Sequence, residues 1–179
     1  MFMLRKSEPG EPLVVAMTAA RLGDRLLVIG CSDPRIVAQL AGKPGLTGRA
    51  CAVDESAEFT GKAASAAEKE GALLETATAP FHQLPFEGGS FDVVAVSHAL
   101  TRVPEDRRAQ CLSEASRVLR EGGRCVVIES GQPAGLFALF RKPGITPGET
   151  EQLMGAAGFR AVHTLADRQG LAFVEGARR

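Results

Sequence analysis

The chain has no tryptophan and no tyrosine, so any stacking against a flat ligand falls to its nine phenylalanines. It also lacks net charge: Lys plus Arg and Asp plus Glu number 21 each. Without a basic excess there is no electrostatic footprint for nucleic acid or an anionic membrane, and a small molecule is the expected partner. No apolar run approaches the roughly 18 to 20 residues a membrane span requires. Met1 to Glu8 mixes charges where a signal peptide carries an apolar stretch. These absences lead to the expectation of a cytoplasmic protein. The four cysteines, Cys31, Cys51, Cys111 and Cys125, form no C-x-x-C pair and have few histidines near them, which argues against a metal or thiol-redox site. Three of them fall in apolar runs or on a predicted helix face and read as small core residues. Cys31 differs because it lies in a turn.

That turn belongs to the stretch on which the rest depends. Leu26, Leu27, Val28 and Ile29 end at Gly30, and helical spacing starts at once with Ile36, Val37 and Leu40. The pattern is strand, tight turn, helix, the opening of a nucleotide-binding half of an α/β protein. In such a unit, free backbone N–H groups at the helix N-terminus meet the carboxyl end of a buried strand, where α/β proteins place ligands. Asp33 followed by Pro34 is a strong helix start, a carboxylate at N-cap and a proline at the first helical position.

Further strands are expected at Gly48–Val53, 73–77, Phe91–Val96 and Arg124–Ile128. Helices are expected over 11–22, Ala57–Glu70 and from Pro104 to a close at Arg117, Arg120 and Gly122, with opposite charges at the two ends of the last. Thr146-Pro147-Gly148-Glu149 is a capping box that starts another helix. Phe159–Leu165 and Leu171–Glu175 read as an antiparallel hairpin around Asp167-Arg168-Gln169-Gly170. With 179 residues, this order predicts one α/β domain: a mostly parallel seven-stranded sheet, helices on both faces, and a C-terminal antiparallel hairpin. Residues 1–23 would be an N-terminal helical extension and 131–146 an apolar lid or insertion. Leu136 to Phe140 in that segment suits a cover over an apolar acceptor, a homodimer or protein-partner contact, or packing on the sheet.

Three motifs then carry a resemblance: Leu84-Pro85-Phe86 with Ser90-Phe91-Asp92-Val93-Val94, Arg102-Val103-Pro104-Glu105-Asp106, and Arg117-Val118-Leu119-Arg120-Glu121-Gly122-Gly123. In this order and spacing the chain resembles a class I S-adenosylmethionine-dependent methyltransferase, of the type 11-like group with a Rossmann-like fold. Its tail from Ala157 to Arg160 and the hairpin beyond are similar to the closing strands of ubiquinone and menaquinone pathway methyltransferases.

The resemblance implies S-adenosyl-L-methionine as cofactor, with Gly30, Cys31, Ser32, Asp54, Glu55, Phe81 and Ser97 as its contacts and His98 as a base for acceptors that must lose a proton. Asp54 would accept the ribose hydroxyls, or else serve as an N-cap or Asx turn of the next helix. Phe81 would cover the base, or belong to the core. His98 would be catalytic, or a polar cap on the turn after the fourth strand. The glycine-rich turn departs from the family pattern. Val28 stands for an acidic residue, Ser32 and Pro34 for glycines, and Pro80 for the aspartate that reads adenine. Two readings remain: a methyltransferase acting on a small, apolar acceptor, or a catalytically inactive methyltransferase-like binding or regulatory subunit with weak or lost cofactor binding.

Overall fold

The computed structural model describes residues 12–130, 144–168 and 170–179. The elements run α1 (Leu13–Thr18), β1 (Arg25–Ile29), α2 (Pro34–Ala41), β2 (Arg49–Asp54), α3 (Ala57–Lys69) and β3 (Glu75–Thr78). They continue with β4 (Phe91–Ser97), α4 (Glu105–Val118), β5 (Leu119–Ser130), α5 (Pro147–Ala156), β6 (Phe159–Arg168) and β7 (Leu171–Arg178). The seven strands form one sheet in the order β3-β2-β1-β4-β5-β7-β6. β1 to β5 are parallel, and β7 enters antiparallel between β5 and β6. The expected architecture is present. The segment containing Leu136 to Phe140, and residues 1–11 of the expected N-terminal extension, lie outside the described residues.

Alternation along the central strands divides the core in two. Leu27, Ile29, Val53, Val94, Val96 and Val127 face α4 and α5, where they meet Leu112, Ala115 and Met154. Leu26, Val28, Ala52, Ala95, Val126 and Ile128 face the other way, toward Val15, Val37, Leu40 and Ala63 of α1 to α3. A strand apolar at every position is what a sheet covered on both sides requires. All four cysteines are buried, Cys31 included.

The helix starts behave as the sequence indicates. Asp33 caps α2, its side chain accepting from the N–H groups of Arg35 and Ile36. Thr146 and Glu149 form the reciprocal capping box of α5. Several element ends differ: β5 begins at Leu119, and β6 and β7 run on to Arg168 and Arg178. α1 is confined to Leu13–Thr18, closed by Ala19 in the left-handed region at φ 47°. β3 is shifted to Glu75–Thr78, with Leu73 exposed. α4 stops at Val118, because Leu119 is already extended and pairs with Phe91.

The sequence motifs prove to be clamps on this frame. Arg117 of α4 pairs with Glu114 and donates to the carbonyls of Phe86 and Leu84, while Glu114 accepts the Leu84 N–H. The Leu-Pro-Phe loop is therefore fastened to α4. Asp92, the single charged residue of β4, accepts from the backbone and side chain of Arg25 and from Arg120. Burial works against its charge, yet these partners hold its carboxyl far below the usual range.

Candidate functional site

The carboxyl ends of β1, β2, β4 and β5 meet on one edge of the sheet. Ligand sites of open α/β sheets form in such a place, because the chain crosses to opposite faces on either side of β1 and leaves a crevice. Gly30 ends β1 with φ 98°, and a Cβ built on it would sit 2.1 Å from the carbonyl oxygen of Ser97. The glycine is thus required by the close approach of β1 and β4, whatever the turn binds. Its N–H donates to the Val53 carbonyl at 2.9 Å, which joins the end of β2 to the same point.

Asp54, last residue of β2, has a fully buried side chain. Its Oδ2 accepts the Cys31 N–H at 2.7 Å and its Oδ1 accepts the Ser56 N–H at 2.9 Å. Ser56, not Asp54, caps α3. The remaining acceptor capacity goes to a residue that the sequence did not single out. The Arg102 guanidinium bonds both oxygens, Nη1 to Oδ2 at 2.6 Å and Nη2 to Oδ1 at 2.7 Å. Burial disfavours the Asp54 charge, but the Arg102 bonds and the two backbone donors outweigh it and hold the carboxyl below its ordinary value.

Arg102 also lies over two aromatic faces. Its guanidinium carbon is 5.1 Å from the ring centre of Phe59 and 5.2 Å from that of Phe81, within cation–π range. Phe81 is fully buried, and its N–H donates to the Glu55 carboxylate at 3.2 Å. Arg102 ends a single 3₁₀ turn, Leu100–Arg102, that follows β4. This turn is fastened by Glu129, near the end of β5, which accepts the Leu100 N–H at 2.8 Å and the Thr101 hydroxyl at 3.0 Å.

Glu129 is 2% exposed, and burial, opposed by those donors, pushes its carboxyl up to about 7 from the ordinary 4.5. The folded protein therefore holds this proton more tightly than the unfolded chain does, and stability from this group falls as pH rises from about 4.5 toward 7. Glu129→Gln retains an acceptor for Leu100 and removes the titration. It is expected to be on the order of 3 kcal/mol more stable than the parent at pH 8, with no gain at pH 4. Urea unfolding at both pH values checks this, and equal pH dependence in the two proteins would refute it.

His98 follows β4 in the left-handed region at φ 49°, its N–H held by the Ile128 carbonyl at 2.9 Å. Nδ1 lies 3.5 Å from the Ser130 hydroxyl. Burial lowers the imidazole pKa against an opposing pull from Asp33, so the ring is neutral at pH 7 and able to accept a proton. Ser97 is buried beneath it, whereas Ser32 is exposed in the turn after β1. Val28 packs among Leu26, Val37 and Leu40, where an acidic side chain would have been aimed into an apolar face.

Gly30, Cys31, Asp54, Ser97 and His98 are thus gathered at one edge, with Glu55 and Phe81 joined to each other nearby. Arg102, Glu129 and Phe59 were missed. A signal existed for Glu129, a lone carboxylate ending the apolar run Cys125 to Ile128. Arg102 opens the Arg-Val-Pro-Glu-Asp motif, but its partner is 48 residues away, and only the folded chain joins them.

Comparison with known proteins places this geometry. A family model described as a methyltransferase domain matches residues 27–127. A ubiquinone/menaquinone biosynthesis C-methyltransferase of Rhizobium johnstonii is 33% identical over 109 residues, 60% of this chain and 42% of the relative. A 27-O-demethylrifamycin SV methyltransferase of Amycolatopsis mediterranei is 33% identical over 130 residues, 70% of this chain and 46% of the relative. The chain spans less than half the length of these two curated relatives. Among solved structures, an S-adenosylmethionine-dependent methyltransferase from Aquifex aeolicus superposes with a TM-score of 0.79 at 17% identity, covering 93% of this chain and 88% of that one. At that identity the superposition speaks for the fold.

Proposed function

This chain belongs to the family of class I S-adenosylmethionine-dependent methyltransferase domains, and we propose that it transfers a methyl group from S-adenosylmethionine, the family's cofactor, to a small, apolar acceptor. The observation that carries the reading is the buried Asp54 carboxylate at the end of β2, beside the Gly30 turn and the ring of Phe81. These residues fit the cofactor in kind: a carboxylate for a ribose diol, an aromatic ring, covered here by Arg102, for a flat base, and a glycine turn opening a helix. The cofactor, when bound, supplies an electrophilic methyl group on a sulfonium. The chain's part is then to align the acceptor and keep water out, and a base is needed only where the acceptor carries a proton.

His98 is the group we assign to that proton. Its ring is neutral at pH 7, half-buried and beside Ser97 at the end of β4. A second reading, a methyltransferase-like binding subunit that does not turn over, is favoured by one observation, the engagement of Asp54 by Arg102.

Methyl transfer from labelled S-adenosylmethionine to a panel of small aromatic alcohols, amines and quinols separates the two readings. Turnover that His98→Ala abolishes for proton-bearing acceptors is the expected result. Absence of transfer, together with absence of calorimetric binding of S-adenosylhomocysteine at millimolar concentration, would leave the second reading.

A further inference from the structure

We propose that Arg102 is a built-in occupant of the nucleoside site, so that S-adenosylmethionine and its demethylated product bind only when this guanidinium lets go of Asp54. The inference rests on the reading of this edge as the cofactor cleft.

An ionised carboxylate has about four acceptor positions. On Asp54 two are taken by the N–H groups of Cys31 and Ser56, and these are set by the backbone of the turns after β1 and β2. The other two are the ones a vicinal diol would use, and Arg102 fills both with a two-pronged bond. Its guanidinium, planar like a base, lies over the rings of Phe59 and Phe81. The nearby Phe81 N–H, a natural donor to a ring nitrogen, is spent on Glu55. Three groups that would recognise an adenosine are therefore satisfied within the chain, and a ligand has to displace them.

The two partners are not equally fixed. The Asp54 side chain is 0% exposed and has no route out, whereas that of Arg102 is 26% exposed. The backbone under Arg102 is held by its own N–H to the Ala99 carbonyl, by Glu129 on Leu100 and Thr101, and by Arg108 on the Leu100 carbonyl. Release is thus a swing of one long side chain, with the turn in place. Glu55 is a second carboxylate whose field acts on Arg102, so the displaced cation is not left without an anionic neighbour. Because the pair raises the arginine pKa and lowers that of Asp54, both partners are charged at pH 7 and the contact is opened by competition.

A site that is competent only while Arg102 is away shows an affinity reduced by that fraction. Calorimetric titration with S-adenosylhomocysteine of the parent, Arg102→Ala and Arg102→Lys tests this, with the thermal midpoint of each measured first. Arg102→Ala is expected to bind at least about tenfold more tightly than the parent. Arg102→Lys, which keeps the charge but loses the fork, is expected to fall between them and carries the test if the alanine variant does not fold. Methylguanidinium, a mimic of the missing head group, should weaken binding to Arg102→Ala in proportion to its concentration and leave the parent unaffected. Binding by Arg102→Ala alone also supports the proposal.

Measurable binding by the parent with equal or weaker binding by both variants would overturn the role of Arg102 and leave the cofactor reading standing. No binding by any folded variant at millimolar ligand would overturn both, and the silent parent tells that result from the first.

Discussion

Gly30→Ala is expected to be the most damaging single methyl in this protein. The added Cβ would lie 2.1 Å from the Ser97 carbonyl oxygen and 3.4 Å from the Ala99 Cβ. The obstructing atom is backbone in the middle of the sheet, so it cannot swing aside, and the φ of 98° is strained for any L side chain. Relief requires β1 and β4 to part at their carboxyl ends, which would also loosen the bond from the Gly30 N–H to Val53. A loss above about 4 kcal/mol follows, within the tail of point mutations that carry a named steric cause. Gly61→Ala is the control. It lies within α3 with nothing within 4 Å of the added Cβ, and should gain about 0.5 to 1 kcal/mol from helix propensity. Urea midpoints of the two variants should move in opposite directions. A Gly30→Ala protein within about 1 kcal/mol of the parent would show that the strand ends are not held as close as described.

The second large effect belongs to Asp54→Ala. Removal of this carboxylate takes the partner from the Arg102 guanidinium over the phenylalanines and orphans the N–H groups of Cys31 and Ser56. Breaking one side of such a buried pair costs about 3 to 5 kcal/mol. For a chain of this length that is a fall of about 10 °C or more in thermal midpoint. The Lys62–Glu58 pair on α3 offers the contrast, because both side chains are exposed, and Lys62→Ala is expected to leave the midpoint nearly unchanged. If the two variants melt alike, the Asp54 pair contributes no more than a surface pair.

The sign with pH also follows. The folded-state pKa of Asp54 is depressed below its unfolded value of 3.8, so its contribution is full above about pH 4 and is lost as pH falls through the depressed value. Asp54→Asn, which keeps the volume, should lack that acid-limb loss.

Much of the frame is legible before folding is considered, because it depends on short-range rules. Asp33-Pro34 and Thr146-Pro147 with Glu149 act within one helical turn, and both caps form. Strands apolar at every position signal a sheet covered on two faces, and the two separate clusters of core residues meet that signal. The motif residues Asp92 and Arg117 were readable as a pattern, but their physical role as clamps on Arg25, Leu84 and Phe86 emerges only from contacts across many residues. The misplaced element ends, such as α4 stopping at Val118, have the same origin. The Arg-Glu-Gly-Gly stretch after it carries good helix-closing residues, yet the pairing of Leu119 with Phe91 claims the chain first.

The sequence by itself determined the architecture and the family, since caps, alternation and motif spacing are local properties that survive without coordinates. It also placed Gly30, Asp54 and His98 at the carboxyl ends of their strands. Only the tertiary structure decided what those residues face. Glu129 holds the turn after β4 with its proton affinity shifted by burial, and Arg102 reaches back 48 residues to take the acceptor positions of Asp54. Burial and long-range pairing have no sequence period, and here those two effects govern how the site meets a ligand.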